Sequence, residues 1–521
     1  MNRHIKTYMK EASFALKLAT LLLFTLAPAT VQAQKAAAKS APGARVEIKE
    51  TRLKNGLRVI TVEDHRAPVI SLSLTYNVGS ANERKGRAGF AHFFEHMMFE
   101  GSENVARGEL FNLILSQGGG ADAQTASDRT FYYSRLPSNQ LELQLFLEAD
   151  RLRSLSITQE SLDNVRNVVQ EERRMRIDNQ PYGKSREILN GMLYENFAYQ
   201  HQGSGTMEDL DAASFADIQE FFKTYYAPNN VALALVGDFK TDEALARIKK
   251  YFEDIPSRPV PPPPDLSEPE QKAERRATVE DALARTPQVS VAFKTAPGNT
   301  PDFYALRILS SVLQGGQSAR LYQKLVKEKE LVNDVFGYVD ERRGPGAFYI
   351  TAILIPGKKV EEVEAAIYEE IERLGKEPIA DWELRKARND VQLATIDSSQ
   401  SSLERAIIIG QYAVIYDDPN LINTEMEKTI AVTKEAVERV VNKYLRPTNR
   451  TVVITMPKGK SATDGAAQWL RMKQNGETSQ NRHEMEDGFY GGARRAPLAG
   501  DFSGRGFGVA ANRATDRRTI N

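Results

Sequence analysis

Cysteine is absent from the 521-residue chain. No disulfide can staple it, no thiol can act as nucleophile and no sulfur can hold a metal, so stability must come from burial. Net charge is absent as well: 69 Lys and Arg balance 69 Asp and Glu. With no long basic run, nucleic acid is excluded as the main partner. The chain lacks a glycine-rich phosphate loop and a dinucleotide fingerprint in strand–helix context. It also lacks an apolar run long enough to span a membrane near its start. The run from Leu18 to Pro28 is short, follows Arg3, Lys6, Lys10 and Lys17, and precedes the small-residue site Val31-Gln32-Ala33. That layout predicts an export signal over residues 1–33, export into a bacterial periplasm, and no stable membrane anchor.

Hydrophobic residues make up 41% of the chain, enough for sizeable cores, and the length suits two or more domains. A mobile leader is expected over 34–45. Thr51 to Val62 reads as two strands around Asn55-Gly56. Val69 to Val78 reads as a strand with Ile70, Leu72, Leu74 and Tyr76 on one face, and Phe131 to Leu136 as another. Helices are expected over Gln140–Leu152, Ser161–Met175 and Ala216–Tyr226, with a closing strand over Val231–Val236. This mixture implies an α+β layer. The proline-rich stretch 257–271 reads as an extended linker. The pattern then repeats: Pro68, Gly79, Pro137, Tyr225, Pro228 and Asn230 match Pro287, Gly298, Pro356, Tyr444, Pro447 and Asn449, every pair at the same offset. A shared offset over such a span points to duplication. The chain is then two similar halves, 46–256 and 272–457, followed by a low-complexity tail, 458–521, expected to be disordered.

Histidine is scarce, with six in the chain, and two of them fall in Gly89-Phe-Ala-His-Phe-Phe-Glu-His-Met-Met-Phe99. On a helix, His92, Glu95 and His96 share one face. Two imidazoles can hold a zinc ion, and a carboxylate beside them can take a proton from water. The order His-x-x-Glu-His is the inverted form of the commoner zinc motif. Carried forward by the shared offset, the same positions hold Ser311, Gln314 and Gly315, so one half carries the chemistry and the other does not. A third ligand should come from a second helix. Glu171 and Glu172 are the candidates; Val165, Val168, Val169 and Glu172 form one stripe, which turns Glu172 inward and Glu171 to its side.

His92-x-x-Glu95-His96, followed at a distance by Val168-Val-Gln-Glu-Glu-Arg-Arg-Met175, resembles the pitrilysin (M16) family of metallopeptidases. The two homologous halves are similar to its shorter, mitochondrial-processing-peptidase-like branch. The resemblance implies one zinc ion per chain on His92, His96 and Glu172, with Glu95 as general base of an endopeptidase acting on peptides or unfolded segments. It also implies that each half folds into two α+β domains with antiparallel sheets flanked by helices, the halves closing as a clam shell. Gly118 to Tyr133 is similar to the family's substrate-edge strand, which makes Asp122, Ala123 and Thr125 the expected substrate contacts, with Asp122 where the family has Asn. Many members carry a substrate-binding Arg and Tyr in the second half; here those positions look like Val326 and Asn333, with Lys327 and Tyr338 out of register. In two-chain members a homologous partner supplies that Arg and Tyr. The chain is therefore expected either to pair with such a partner or to form a homodimer. The contrasting reading is a non-catalytic assembly or binding subunit of a peptidase-like heterodimer.

Overall fold

The computed structural model describes residues 45–459. The export signal, the leader before Arg45 and the tail beyond Gly459 lie outside the described residues. Among the described residues, those from Glu47 onward belong to one compact unit.

The first half builds a six-stranded sheet from β1 (Lys49–Arg52), β2 (Arg58–Glu63), β3 (Val69–Tyr76), β4 (Gly120–Thr125), β5 (Thr130–Pro137) and β6 (Val231–Gly237), in the order β1-β2-β6-β3-β5-β4. Helices α1 (Phe90–Met97), α2 (Leu141–Ser154), α3 (Gln159–Arg173), α4 (Gly183–Leu193) and α5 (Phe215–Tyr225) accompany it. The second half builds a five-stranded sheet from β7 (Arg275–Asp281), β8 (Gln288–Lys294), β9 (Val332–Asp340), β10 (Ala347–Leu354) and β11 (Arg450–Pro457), in the order β7-β11-β8-β10-β9. Its helices include α6 (Pro301–Gln314), α7 (Val360–Leu374), α8 (Asp381–Gln400), α9 (Ser402–Ile415) and α10 (Lys434–Tyr444).

The duplication is visible in space, with three corrections to the sequence reading. First, each half holds one sheet among the described residues rather than two domains. Second, the sheets are antiparallel except for one parallel pair each. The returning strand enters the middle of its sheet, so β6 runs parallel to β2 and antiparallel to β3, and β11 likewise between β7 and β8. Third, Pro356 is not the counterpart of Pro137. Pro137 pairs with Val69, and the residue paired with the equivalent Gln288 is Ile353. The β9–β10 hairpin therefore falls short of the shared offset, which would have placed Pro356 at that pairing. Extra residues beyond β10 restore the register, so that Val360 opens α7 where Leu141 opens α2.

Ile70, Leu72, Leu74 and Tyr76 join Phe93, Phe94 and Met97 of α1 in the first core. The other face of β3 carries Ser71, Ser73 and Thr75, which alternation would leave to water. All three are buried, because α9 of the second half lies across them. Ser402 Oγ sits 2.9 Å from Ser71 Oγ, Arg405 pairs with Asp64, and Arg58 Nη1 donates to Ala413 O at 2.7 Å. A Cβ on Gly410 would stand 2.5 Å from Thr75 Oγ1, so only glycine lets α9 come this close. The exchange is reciprocal. Helix α4 of the first half lies on the second sheet, where Tyr349 Oη donates to Asn190 Oδ1 at 2.7 Å and Ser185 meets Thr455. Leu189 and Leu193 of α4 pack there with Ala292, Tyr349 and Val453. Gly183 and Ser402, which open α4 and α9, again stand at the shared offset.

The halves are therefore bound by exchanged helices, and the proline-rich linker is tied down rather than free. Glu268 accepts from Asn196 N at 2.7 Å in the first half and pairs with Lys294 at 3.1 Å in the second. Gln271 reaches Arg450 O at 2.8 Å. Because the α9 contact has no room for a methyl group, Gly410→Val is expected to destabilise the chain by about 1–3 kcal/mol. Thr75→Ala in the same chain should recover part of the loss. Urea unfolding of the unaltered chain and the two variants measures both effects.

Candidate metal centre

Helix α1 is held on one side by Phe90, Phe93, Phe94 and Met97, all buried. His92, Glu95 and His96 occupy the remaining arc. Gly89 supplies no capping side chain, so the first turn is capped from a distance. The Glu83 carboxylate accepts from Gly89 N at 2.8 Å and Ala91 N at 2.7 Å, and His201 Nε2 approaches it at 2.7 Å. Sequence reasoning missed this pair; a lone acid followed by a glycine that opens a helix was the only available signal.

Helix α3 begins on Thr158, whose hydroxyl accepts from Ser161 N at 3.0 Å. Its buried stripe of Leu162, Val165 and Val169 continues to Glu172, while Glu171 points outward and pairs with Arg174 at 3.1 Å. The two candidates are thus separated as helical geometry requires. The helix ends at Arg173, slightly before the expected Met175, and widens into a π turn over Arg174–Asp178. That turn returns Arg176 to the Glu172 carboxylate as an ion pair, a second contact absent from the sequence reading.

The three ligand-type residues converge. His92 Nε2 and His96 Nε2 are 3.2 Å apart, Glu172 Oε1 is 3.6 Å from the first, and Oε2 is 3.2 Å from the second. Tetrahedral zinc with bonds of about 2.0–2.2 Å sets its ligand atoms roughly 3.3–3.5 Å apart. The observed spacing fits that requirement before any ion is considered. Glu172 Oε2 is buried without a hydrogen bond of good geometry, as expected for a lone pair aimed at a shared third point. Among the described residues this is the one group of three such side chains able to hold a metal ion. Three protein ligands leave a fourth position for water or substrate.

The electrostatics suit the same use. Burial, with His96 nearby, pushes His92 down to about 4, so it is neutral and offers a lone pair. Burial would also lower His96, but the Glu172 carboxylate outweighs it and the net shift is upward. Burial would raise Glu172, yet the two imidazoles and Arg176 draw it down to about 2. Burial pushes Glu95 up to about 7, against the pull of His96 and the Thr125 hydroxyl. Its Oε2 is buried and unpartnered.

The expected substrate strand is β4, the outermost strand of its sheet, paired only with β5. Asp122 is half-buried, accepts from Ala123 N at 2.8 Å and stands opposite Tyr133. Burial raises its carboxyl, while bonds from Ala123 and Tyr133 oppose the rise. Ala123 packs on the first core. The Thr125 hydroxyl lies 3.2 Å from Thr130 Oγ1 and 3.5 Å from Ala91 O of α1, near Glu95. In the second half, Val326 packs on the core and Asn333 donates to Leu354 O at 3.2 Å. Lys327 lies over the Tyr322 ring, and Tyr338 stacks on Tyr349 with ring centres 4.9 Å apart.

A duplicated α/β chain with one metal-type ligand set has the build of the two-halved zinc proteases. The chain belongs to peptidase family M16. The family described as "Insulinase (Peptidase family M16)" matches residues 58–208, and "Peptidase M16 inactive domain" matches 212–391. The first span contains His92, Glu95, His96 and Glu172; the second contains Ser311, Gln314 and Gly315. The chain is 30% identical to "Zinc protease PqqE" of Helicobacter pylori over 78% of its own length and 92% of that protein. It is 25% identical to "Probable mitochondrial-processing peptidase subunit beta" of Arabidopsis thaliana over 78% of its length and 77% of that protein. The crystal structure of a protease from Helicobacter pylori superposes with a TM-score of 0.76 at 29% identity, covering 80% of this chain and all of that one. Among the described residues no helix is long and apolar enough to cross a membrane.

Since His96 is raised above its ordinary value and must lose its proton to bind metal, zinc affinity is expected to climb with pH until His96 is neutral. The expected slope is about one log unit of affinity per pH unit. Chelator competition between about pH 6 and pH 8 measures it; a flat profile would contradict the assignment.

Proposed function

We propose that the chain is a zinc-dependent endopeptidase that hydrolyses peptides or unfolded protein segments, with Glu95 as general base. The observation that carries this reading is the convergence of His92, His96 and Glu172, whose ligand atoms all lie within 4.8 Å of one another. A zinc ion held by these residues would supply a Lewis acid that lowers the pKa of water toward about 7 and polarises a carbonyl. Beside it, the free Oε2 of Glu95 takes the proton of the attacking water and returns it to the leaving amine. The Thr125 hydroxyl lies near that carboxylate and eases its ionisation. The open edge of β4 offers main-chain donors and acceptors to an extended peptide at Asp122 and Ala123, so the scissile bond is presented by strand addition. The name of the Helicobacter pylori relative, a zinc protease, supports the same chemistry.

Glu95→Gln is expected to keep one zinc per chain and to lower kcat by about 10²- to 10⁴-fold. Zinc analysis with peptide-cleavage assays tests both parts. A fully active variant would remove Glu95 as the base.

The second half favours a partner. Val326 and Asn333 stand where an Arg and a Tyr would contact substrate, and both side chains are engaged within their own half. We read the chain as the zinc-bearing member of a heterodimer, exported to the periplasm, with a homodimer as the alternative. The reading of a non-catalytic subunit sits poorly with an intact His92, Glu95, His96 and Glu172. Cleavage of a mixed peptide library is expected to rise at least about tenfold when the product of a similar neighbouring gene is added. Equal rates with and without it would leave the chain active alone.

A further inference from the structure

All four groups proposed to do the chemistry belong to the first half, yet the second half touches the turn of the hairpin beside them. The β4–β5 turn of the first half meets the β9–β10 turn of the second, tip against tip. These turns are equivalent under the duplication, since each joins the edge strand of its sheet to the strand beside it. At the meeting point lies Asp128, 5% exposed. A buried carboxylate is costly unless hydrogen-bonded. Asp128 receives Tyr199 Oη at 2.8 Å and Arg343 N at 2.8 Å, one on each oxygen. Tyr199 Oη also accepts from Gly344 N at 2.9 Å, so Asp128, Tyr199, Arg343 and Gly344 form a closed ring across the seam. A Cβ on Gly344 would lie 2.9 Å from the Tyr199 ring, so the approach requires glycine. Arg343 reaches further into the first half, donating through Nη2 to Asn77 Oδ1 at 2.7 Å. Tyr194 Oη anchors the same loop through Pro345 O at 3.2 Å.

From Asp128 the connections run to the base. Ala126 O and Ser127 O accept from Ser80 N and Ala81 N at 3.1 and 2.8 Å, in the segment that leads into α1. Thr130 donates to Val78 O at 3.0 Å and lies beside Thr125, whose hydroxyl reaches Ala91 O of α1 at 3.5 Å and lies near Glu95. The Asp128 turn therefore fixes both ends of the base: the helix that carries it and the hydroxyl near it.

We propose that Asp128 is a positioning residue through which the second half holds Glu95, so that hydrolysis requires the two turns to be apposed while zinc binding does not. The proposal rests on Glu95 being the base. It gives the half without metal ligands a defined task. Parting the halves removes an Arg343 donor from Asp128, frees the turn and loosens the Thr125–Glu95 contact.

The test compares Asp128→Ala and the milder Tyr199→Phe with the unaltered full chain. Zinc content should stay at one per chain. Hydrogen exchange of 120–130 should quicken in both variants, more in Asp128→Ala. In peptide cleavage, kcat should fall about 10- to 100-fold in Asp128→Ala, with KM changed less than about threefold. Adding Thr125→Val should cost little more, because both substitutions break one path. Unchanged exchange over 120–130 in both variants overturns the proposal, as does an unchanged kcat, or a Thr125→Val effect that multiplies in full. If the unaltered chain cleaves no peptide either alone or with the product of a similar neighbouring gene, the endopeptidase reading fails by itself. Exchange over 120–130 and zinc content then decide whether the seam holds the strand.

Discussion

The site depends on one buried charge. Glu172 stands on the apolar face of α3, where an unpaired carboxylate would be strongly unfavourable. Two imidazoles and Arg176 offset that cost and draw it down to about 2. Each needs its own support, because ligand atoms 3.2–3.6 Å apart tolerate little drift. The aromatic flank of α1 fixes the imidazoles from behind, and the Glu83–His201 pair fixes the start of that helix. The valine stripe of α3 sets the rotation of Glu172. Where the ligand helix ends, a π turn brings back Arg176, in keeping with the tendency of such turns to gather at functional places.

The duplication explains how this precision is sustained across two halves that share no ligand. Each sheet has a core side built from its own helices and an outer side closed by a helix from the other half, small and polar on the first sheet and more apolar on the second, where Tyr349 and Val453 lie. Ser71, Ser73 and Thr75 would be a solvated face in an isolated half. Under α9 they are a buried seam held by hydrogen bonds and close backbone approach rather than by large apolar side chains. Equivalent turns meet at Asp128, so the hairpin of the half without metal ligands abuts the hairpin beside the metal-type site.

Much of this was legible in the sequence because it is local. Helical spacing put His92, Glu95 and His96 on one face, and the valine stripe chose Glu172 over Glu171. The uniform offset revealed two halves and showed which one had lost the ligands. The reading failed where a property depends on distant contacts. Pro137 and Pro356 share the offset but not a structural place, since an insertion beyond β10 moves the hairpin register. The prolines marked an extended linker, but could not show that Glu268 and Gln271 tie it to both halves.

The sequence by itself determined the family, the duplicated plan and the four residues of the candidate centre, because periodicity within a helix is fixed by backbone geometry alone. Tertiary structure alone decided that the ligand atoms meet at a spacing suited to zinc. It decided as well that Glu83 caps the motif helix, that α4 and α9 are exchanged, and that Asp128 joins the halves beside the base. Those outcomes rest on side chains brought together from distant parts of the chain, and no local pattern records such a meeting.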